Sequence, residues 1–503
     1  MGIEISGKFV NDLTTKLIKA ADGSQKLEVK DPEEIGQFVC SILALGCELI
    51  PVVGSSLGAL TTLFSSLLFH PNSIEKIWEK LRERIEKLID SKITETQMAI
   101  LKKKIRGLQD NMANYKRIVE DFQGASAEDL DKARDTLKMT HIAFLSVVRN
   151  AIPEFRVEAF AVASLPLFAL AANIHLMLLS EGIKHGSAWG YSKKNVETMR
   201  AEFQQKTSSK GHPGGTENCA SEQSSLLKGV ISAVPDLSIS TDIVNTWEKA
   251  YSDLVAPASG YAGNDDNNDD LDYVTYVNKI YWQGRGQVKP YPAELANLEY
   301  ENQGTRAAAK LRSYADYDSG MVMNVLNYAE FWPYLAGGEM PESVMKKLDR
   351  EIFFGPFGRY TTHASWTESS AATITDRSPR ITSVYVRGWD DVDGLQIKYG
   401  DSWGYAYGST TGGKATELPL AEDEYIYWVS VYYGHKLGKV RFWNNKDKAL
   451  ESGSAKNGSY YAAAAPPGYR LTSVYITNWK GATPPGCEGI ILGFRPSIFE
   501  YKA

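Results

Sequence analysis

The most constraining feature of this sequence is the apolar run from Ala159 to Ser180, which contains no Asp, Glu, Lys or Arg. As one helix the run would be roughly 33 Å long at ~1.5 Å per residue, which is enough to cross a bilayer. Pro166, Asn173 and His175 weaken its preference for lipid, so insertion should be conditional. The alternative is a helix that is apolar all round because other helices bury it in a soluble domain. We predict burial in the soluble protein and later membrane entry, because a soluble pore-former requires both states.

Length and charge restrict the remaining possibilities. A chain of 503 residues exceeds what one hydrophobic core usually serves, so we expect two or more domains. The formal net charge of −6 argues against a nucleic-acid partner, which would require a basic face. The first ten residues lack the basic-then-apolar pattern of a secretion signal, and we expect a soluble protein made without one.

No motif predicts catalysis, a metal or a cofactor. The seven histidines show no ligand spacing. Cys40 and Cys47 would lie about 10 Å apart along an intact helix, too far for a disulfide, and Cys219 and Cys487 lie in loop-like sequence. The Gly-Asp-Ser at 400–402 follows a predicted strand without the strand-to-helix elbow of an esterase serine. We therefore expect no enzymatic activity.

Further helices are predicted before the apolar run. The stretch from Gly36 to Phe69 is also apolar and could pass for a transmembrane helix, but its glycines and proline favour two buried helices that meet at a bend. Apolar residues then recur at three- and four-residue steps through 74–88 and 93–122, which is typical of a helical bundle.

An amphipathic helix that begins at Ser126 and ends near Pro153 leads directly into the apolar run. The turn at 150–156 would join the two helices into an αα-hairpin. The apolar side of the first helix is predicted to carry Leu130, Leu137, Phe144 and Val147, with Asp131, Arg134, Asp135, Lys138 and His141 elsewhere. If both helices entered lipid, the apolar helix could face acyl chains while the polar side lined water.

After the hairpin the composition changes. Residues 201–272 are rich in loop-forming residues and end in an acidic segment at 264–272, which we interpret as a solvated loop rather than a calcium site. Helical patterns resume at 271–282 and 295–334 and again at 341–348.

The last third of the chain is typical of β-strands and repeats itself. Val384, Val429 and Val474 fall at one even interval within RITSVYV, YIYWVSV and RLTSVYI. Partner strands are predicted at 394–399, 439–443 and 489–494. Three copies of a hairpin predict three sheets about a pseudo-threefold axis, which is a β-prism.

The tips of the three hairpins are the candidate recognition surface. They mix aromatic and polar side chains, as ligand-facing loops do, and the symmetry gathers them at one end. The alternative is that each tryptophan covers its own hairpin. The candidate residues are Trp389, Asp390 and Asp391 on the first tip, Tyr433 and His435 on the second, and Trp479 and Lys480 on the third.

The helical part contains the segments WEKLRERIEKLIDSKI, LQDNMANYKRIVEDF, AANIHLMLLSEGIKHGSAWG and VMKKLDREIFFGPFG. These segments resemble the pore-forming helical domain of insecticidal delta-endotoxins, the three-domain crystal toxins. The resemblance implies a bundle around the apolar run and a hairpin, from Glu128 to Lys184, that enters the target membrane. The insertion at 201–272 departs from the common pattern. The expected hairpin residues are Leu137, Phe144, Val147, Pro153, Phe160, Pro166, Phe168, Asn173, His175 and Leu179.

The last part contains VRGWDDVDGLQIKYG, GGKATELPLAEDEYI and the LTSVYI repeat. These motifs resemble jacalin-related β-prism lectins, and the second domain of crystal toxins is also a β-prism that binds receptors through its apical loops. Jacalin-type lectins bind sugar with a Gly-x-x-x-Asp loop in the last hairpin. That position here runs from Pro484 to Glu488, so the usual sugar-binding geometry is not expected.

These observations predict an all-α helical bundle around a central apolar helix at 1–355 and a β-prism with pseudo-threefold symmetry at 356–503. The two-domain resemblance implies a pore-forming insecticidal-type toxin that uses no cofactor. Its partners would be a cell-surface glycoprotein or glycolipid receptor, membrane lipid and further copies of itself in the pore. The alternative is a carbohydrate- or glycoprotein-binding defence lectin with a structural helical domain.

Overall fold

The structure is a computed structural model that describes a large part of the chain. The described residues are 3–5, 73–89, 92–208, 271–289, 303–337, 344, 348, 351–358, 364–368, 380–434, 437–457, 460–464, 469–479, 486–496 and 499–501. The predicted helices at 36–69, with Cys40 and Cys47, lie outside the described residues, as do Cys219 and nearly all of the acidic loop.

The helical domain is organised around one buried helix, as the sequence predicts. The described helices are α1 (Ser73–Leu88), α2 (Glu95–Gln123), α3 (Leu130–Ala151), α4 (Ala161–His185), α5 (Lys193–Thr207), α6 (Tyr273–Gln287), α7 (Gln303–Met321) and α8 (Asn327–Phe331). Helix α4 packs against α1, α3, α5 and α6. Only Pro166, Leu170, Lys184 and His185 on α4 are partly exposed. The apolar composition of α4 is therefore explained by burial on every side.

Polar side chains fix where several helices begin. Thr94 and Gln97 form a capping box at the start of α2, in which the Gln97 N–H donates to Thr94 Oγ1 (3.3 Å) and the Thr94 N–H donates to Gln97 Oε1 (3.0 Å). Ser192 caps α5, and Asp272 caps α6 by accepting from the Thr275 N–H at 2.9 Å.

Helix α3 differs from the prediction in its start and in its buried side. It begins at Leu130 rather than at Ser126, whose hydroxyl accepts from the Asp129 N–H (3.3 Å) in the preceding turn. Val147 was predicted on the packed side but is 37% exposed, while His141 was predicted on the polar side but is fully buried. The buried residues of α3 are Leu137, His141, Phe144, Leu145, Val148 and Ala151. The buried stripe follows three- and four-residue steps, and Val147 falls outside it.

The strands form three antiparallel sheets, which confirms the predicted β-prism. The strands are β1 (Ile3–Ile5), β2 (Ile352–Gly358), β3 (Ala364–Glu368), β4 (Ile381–Gly388), β5 (Val392–Tyr399), β6 (Ser402–Trp403), β7 (Tyr407–Gly408), β8 (Lys414–Pro419), β9 (Ile426–Tyr433), β10 (Leu437–Asn444), β11 (Ala449–Gly453), β12 (Tyr460–Ala464), β13 (Tyr469–Trp479), β14 (Cys487–Pro496) and β15 (Phe499–Tyr501). The first sheet has the order β6-β5-β4-β8, with β7 beside β5, the second has the order β11-β10-β9-β12, and the third has the order β2-β14-β13-β3. In addition, β1 pairs with β15. Val384, Val429 and Val474 are fully buried, one in each sheet.

The segment around the expected domain limit at 355 is part of a sheet, because β2 pairs with β14 of the prism. The glycine-rich FFGPFG segment forms most of β2, which pairs with β14. Gly358 has a φ of +102°, and a Cβ there would lie 2.1 Å from the Glu488 carbonyl oxygen. The glycine therefore serves close strand pairing rather than a linker. Cys487, predicted in a loop, is buried at the start of β14.

Candidate functional site

The hairpin predicted to enter membranes consists of α3, two 3₁₀ turns and α4. Among the described residues, Glu158–His185 is the only helical stretch that is long and apolar enough to cross a membrane. Of the predicted hairpin residues, Leu137, Phe144, Phe160, Phe168, Asn173, His175 and Leu179 are buried, Pro166 is half-buried, and Val147 and Pro153 are exposed. In this state protein covers most of the apolar surface that could contact lipid.

Polar groups of α4 are paired with residues that precede the prism. The Trp332 indole N–H donates to Asn173 Oδ1 (2.5 Å), and the Ser180 hydroxyl donates to the Leu335 carbonyl oxygen (2.6 Å). Because an unpaired polar group would be costly at this depth, these contacts stabilise the buried position of α4. They also connect the hairpin to the chain segment that leads into the second domain.

A second polar cluster joins four helices around His175. The Tyr273 hydroxyl of α6 lies 2.6 Å from His175 Nδ1, and Glu202 Oε1 of α5 lies 3.3 Å from His175 Nε2. Arg149 of α3 donates from Nε to the same Glu202 oxygen (2.9 Å) and from a second nitrogen to the other oxygen. The Glu202 carboxylate therefore contacts both helices of the hairpin from outside it.

The pKa of Glu202 reflects these contacts. Burial alone would raise it, but contacts with His175 and Arg149 lower it to about 2 from its usual 4.5. A forked guanidinium contact of this kind strongly favours the ionised carboxylate.

We expect acid to weaken the helical domain through Glu202. Because the folded pKa lies below the unfolded one, the contribution of Glu202 is complete above pH 4.5 and is lost as the pH falls toward 2. Allowing for partial solvent screening, the loss should be about 1–2 kcal/mol of unfolding free energy. Denaturant unfolding of Glu202→Gln across this pH range should show a correspondingly flatter profile. The exposed Glu197 on the same helix provides the control, and a Glu197→Gln profile as flat as that of Glu202→Gln would contradict the assignment.

The other end of α4 is held by Tyr115 and His141. The Tyr115 hydroxyl of α2 donates to Glu181 Oε2 (2.7 Å), and both residues are buried. Burial, with the nearby Glu181 carboxylate, raises the pKa of Tyr115 well above its usual value, so the phenol keeps its proton. His141 Nε2 lies 2.9 Å from the Leu178 carbonyl oxygen, which links α3 to α4 within the hairpin.

The turn of the hairpin is attached to α6 by Arg156. Its guanidinium lies 4.8 Å from the ring centre of Phe168, 5.3 Å from that of Tyr273 and 4.4 Å from that of Tyr276. A second contact runs from Arg156 Nη2 to the Leu271 carbonyl oxygen (3.3 Å). This buried cation–π arrangement fixes the turn against the start of α6.

The first and second tips of the prism lie beside each other, as the symmetry predicts for these two hairpins. The Ser454 N–H donates to the carbonyl oxygens of Asp390 (3.1 Å) and Gly438 (2.9 Å), which places the first and second tips side by side. Trp389 is 76% exposed, so it does not cover its own hairpin. Asp390 is exposed and Asp391 is half-buried beside it.

Tyr433 does not belong to an exposed recognition surface. It is 8% exposed, and its ring lies 5.6 Å from the ring of Phe357 and 5.6 Å from the Arg312 guanidinium of α7. Its position at the end of β9 brings it to the junction with the helical domain, which corrects the prediction. His435 and Lys480 lie outside the described residues. Trp479 is described only as the last residue of β13.

The Gly-Asp-Ser segment forms a turn between two strands rather than the strand-to-helix elbow of an esterase serine. Gly400 and Asp401 form the turn between β5 and β6, and Ser402 begins a two-residue strand. Glu488, at the end of the divergent sugar loop, is buried. Within the described parts of the chain, no group of three or more His, Cys, Asp or Glu side chains could hold a metal.

Sequence reasoning missed several residues that the structure brings to the sites. Arg156 and Glu202 were not singled out, although Arg156 is the only basic residue in the hairpin turn. Trp403 and Tyr405 are 38% and 68% exposed on the prism, and their alternation with small residues in SWGYAYG was the available signal.

Comparison with known proteins assigns the two domains. The sequence profile of the delta endotoxin N-terminal domain matches residues 42–211, and that of the Jacalin-like lectin domain matches residues 354–476. The chain therefore joins a delta-endotoxin-like helical domain to a jacalin-like domain. Both families consist of non-enzymatic toxins or binding proteins.

Sequence relatives of the chain include pesticidal crystal proteins. Cry26Aa of Bacillus thuringiensis subsp. finitimus is 27% identical over 201 residues, which are 38% of this chain and 17% of the relative. Cry12Aa of Bacillus thuringiensis is 30% identical over 207 residues, which are 38% of this chain and 15% of the relative. The matched region is therefore less than a third of these relatives.

Solved structures share the fold over most of the chain. The Bacillus thuringiensis insecticidal crystal protein Cry7Ca1 aligns with a TM-score of 0.54 at 16% identity, covering 92% of this chain and 75% of the other. PirB aligns with a TM-score of 0.52 at 12% identity, covering 93% of this chain and 96% of the other. At these identities the comparison establishes the fold alone.

Proposed function

We propose that this protein is a pore-forming insecticidal-type toxin. Its prism binds a glycoprotein or glycolipid on the target cell, and its α3–α4 hairpin then enters the membrane within a homo-oligomeric pore. The observation that carries the proposal is α4, a helix long enough to span a bilayer, apolar around its circumference and sheltered by other helices. Transfer to lipid would replace one apolar environment with another, while the backbone keeps its own hydrogen bonds.

Polar contacts hold the hairpin within the closed bundle. Glu202, Tyr115 and Trp332 each pair with a polar group of the hairpin from a different part of the domain. Release must break these contacts, so an event at the membrane must favour the open state by a comparable free energy. Receptor binding through the prism, followed by association between copies, supplies such an event.

The alternative function is a lectin whose helical domain is a permanent scaffold. The same network of polar contacts favours it, because these contacts stabilise the closed bundle. Dye release separates the two functions. Vesicles made from insect midgut brush-border membranes should release an entrapped dye when the protein is added, whereas a lectin would bind the vesicles and release none.

The first tip should determine how tightly the protein binds vesicles, and binding precedes leakage. We expect the double variant Trp389→Ala, Asp390→Ala to lower vesicle binding by about tenfold, because exposed tryptophans at a recognition site contribute strongly to binding. Leakage per bound molecule should not change. Binding is measured by co-sedimentation and leakage by dye fluorescence. The control is Glu422→Ala in the loop between β8 and β9, and an equal loss in both proteins would count against recognition by the tip.

A further inference from the structure

The exposed aromatic side chains are concentrated on one sheet of the prism. Among the residues whose side chains are described, the exposed large aromatic residues are Trp389, Trp403 and Tyr405. Trp389 belongs to the first tip. Trp403 and Tyr405 lie in the segment that returns along the edge of β5, so the tip does not account for them.

An arginine is fixed beside these aromatic rings. The Tyr385 ring meets Trp403 edge to face at 6.4 Å, and the Tyr385 hydroxyl accepts from Arg387 Nε at 3.0 Å. Arg387 Nη1 donates to the carbonyl oxygens of Gly412 and Gly413. The guanidinium is thereby held in one orientation, and no described residue accepts from its Nη2. A fixed guanidinium edge suits an oxygen-rich ligand.

The register of the sheet keeps one side of Arg387 open. Its cross-strand neighbours are Gly394 on β5 and Ala415 on β8, the two smallest side chains available. On the Gly394 side the Ser409 carbonyl oxygen lies against the sheet. A Cβ built on Gly394 would be only 2.5 Å from that oxygen. On the other side Ala415 is exposed, so the guanidinium borders an open shallow surface.

A hydrogen-bond acceptor and a hydrogen-bond donor complete this surface. Glu417 lies directly opposite Tyr385 in the register and is exposed, and its Oε1 accepts from the Ser383 hydroxyl at 2.7 Å. Gln396 lies on the other side of Tyr385, and its Nε2 donates to the Gly404 carbonyl at 2.8 Å. The row therefore presents an acceptor, an aromatic ring and a donor side by side.

This combination of aromatic rings with fixed hydrogen-bonding groups fits a sugar. A pyranose has an apolar C–H face, which stacks on aromatic rings, and hydroxyls that both donate and accept. A lipid acyl chain would favour exposed aliphatic residues, but the exposed large apolar residues of the described prism are all aromatic. The carboxylate of Glu417, which lies opposite Tyr385 in the register, disfavours an anionic sugar because it would repel a second negative charge.

We propose that the outer face of the first sheet is a lateral binding site for a neutral pyranose, formed by Trp403, Tyr385, Arg387 and Glu417. It is separate from the tip, and it deepens the proposed function by giving the receptor's glycan a second point of contact. Two contacts on one branched glycan would raise avidity without a change at either one.

The test uses the full-length protein on a printed array of mannose-, galactose- and N-acetylhexosamine-terminated oligosaccharides, with sialylated and sulfated ones alongside. The wild type should bind neutral oligosaccharides. Trp403→Ala should weaken this binding about tenfold, and Glu417→Ala and Arg387→Lys should weaken it severalfold. Trp443→Ala is the matched control, because Trp443 is a half-buried tryptophan on β10 of the second sheet, stacked on Trp428 at 5.1 Å.

Three results would overturn the lateral site. These are unchanged binding by Trp403→Ala, an equal loss in Trp403→Ala and Trp443→Ala, or binding only to acidic glycans or to none. The array contains no membrane, so a failure of pore formation leaves its result standing. Dye release that persists while the array shows no binding would reject the lateral site alone.

Discussion

Linking the hairpin turn to α2 should abolish membrane leakage and leave cell binding intact. Lys104 on α2 and Glu154 in the turn meet with Nζ and Oε1 3.2 Å apart, and both side chains are partly exposed. Cysteines at these two positions can be joined by a reducible bis-maleimide. A flexible reagent is preferable to a direct disulfide, because the two long side chains meet only at their ends.

Leakage should fall about a hundredfold in the linked protein and recover on reduction, because the closed state can then no longer release the hairpin. Cys40, Cys47 and Cys219 are replaced by alanine beforehand, whereas Cys487 is buried and can remain. Dye release and cell binding are measured on the same preparation before and after reduction.

The matched control places the same reagent within one helix. Arg117 and Asp121 on α2 form an exposed ion pair of 2.9 Å, one turn apart. A link between cysteines at these positions adds the same chemistry without joining two helices, so leakage should be retained. Full leakage from the protein linked between positions 104 and 154 would show that the hairpin does not leave α2.

The central helix could be predicted because its composition alone decides its environment. A long run without Asp, Glu, Lys or Arg must be covered by protein or lipid, and the bundle covers α4 on all sides. The prism could be predicted for a similar reason, since a threefold repeat of buried valines specifies three equivalent sheets. Both predictions rest on patterns that can be recognised in the sequence alone.

The errors arose where distant residues decide the outcome. His141 counts as polar in any helical pattern, yet Tyr191, 50 residues away, and the Leu178 carbonyl satisfy both of its nitrogens inside the core. Tyr433 resembles a tip residue in sequence, but α7 covers it. Each error reflects tertiary packing that overrides a local pattern.

The proposed lateral site on the first sheet shows that the same limit applies when function is predicted from sequence. The alternation in SWGYAYG is visible in the sequence, but its relation to Arg387 depends on three strands and a loop. The register places Gly394 and Ala415 beside the arginine, and only that arrangement distinguishes a binding surface from scattered aromatic residues.

Replacing Phe168 by alanine should greatly lower the unfolding free energy of the helical domain. Phe168 is fully buried, and its ring lies 4.6 Å from that of Tyr276 and 5.4 Å from that of Tyr273, with the Arg156 guanidinium 4.8 Å away. Removing the ring leaves a cavity and also weakens the contact that holds the hairpin turn. The unfolding free energy should fall by about 3–5 kcal/mol, measured by urea denaturation with helical circular dichroism.

Val147→Ala is the control that tests the side of α3 assigned to the core. Val147 and Phe168 were both expected from sequence to belong to the hairpin's functional set, but Val147 is 37% exposed. Its truncation should therefore change the unfolding free energy by no more than about 0.5 kcal/mol. Similar losses for the two variants would mean that Val147 packs as the sequence first indicated. A large loss of unfolding free energy for Phe168→Ala but not for Val147→Ala would show that the stability of the hairpin depends on the burial of α4 and not on the outer side of α3.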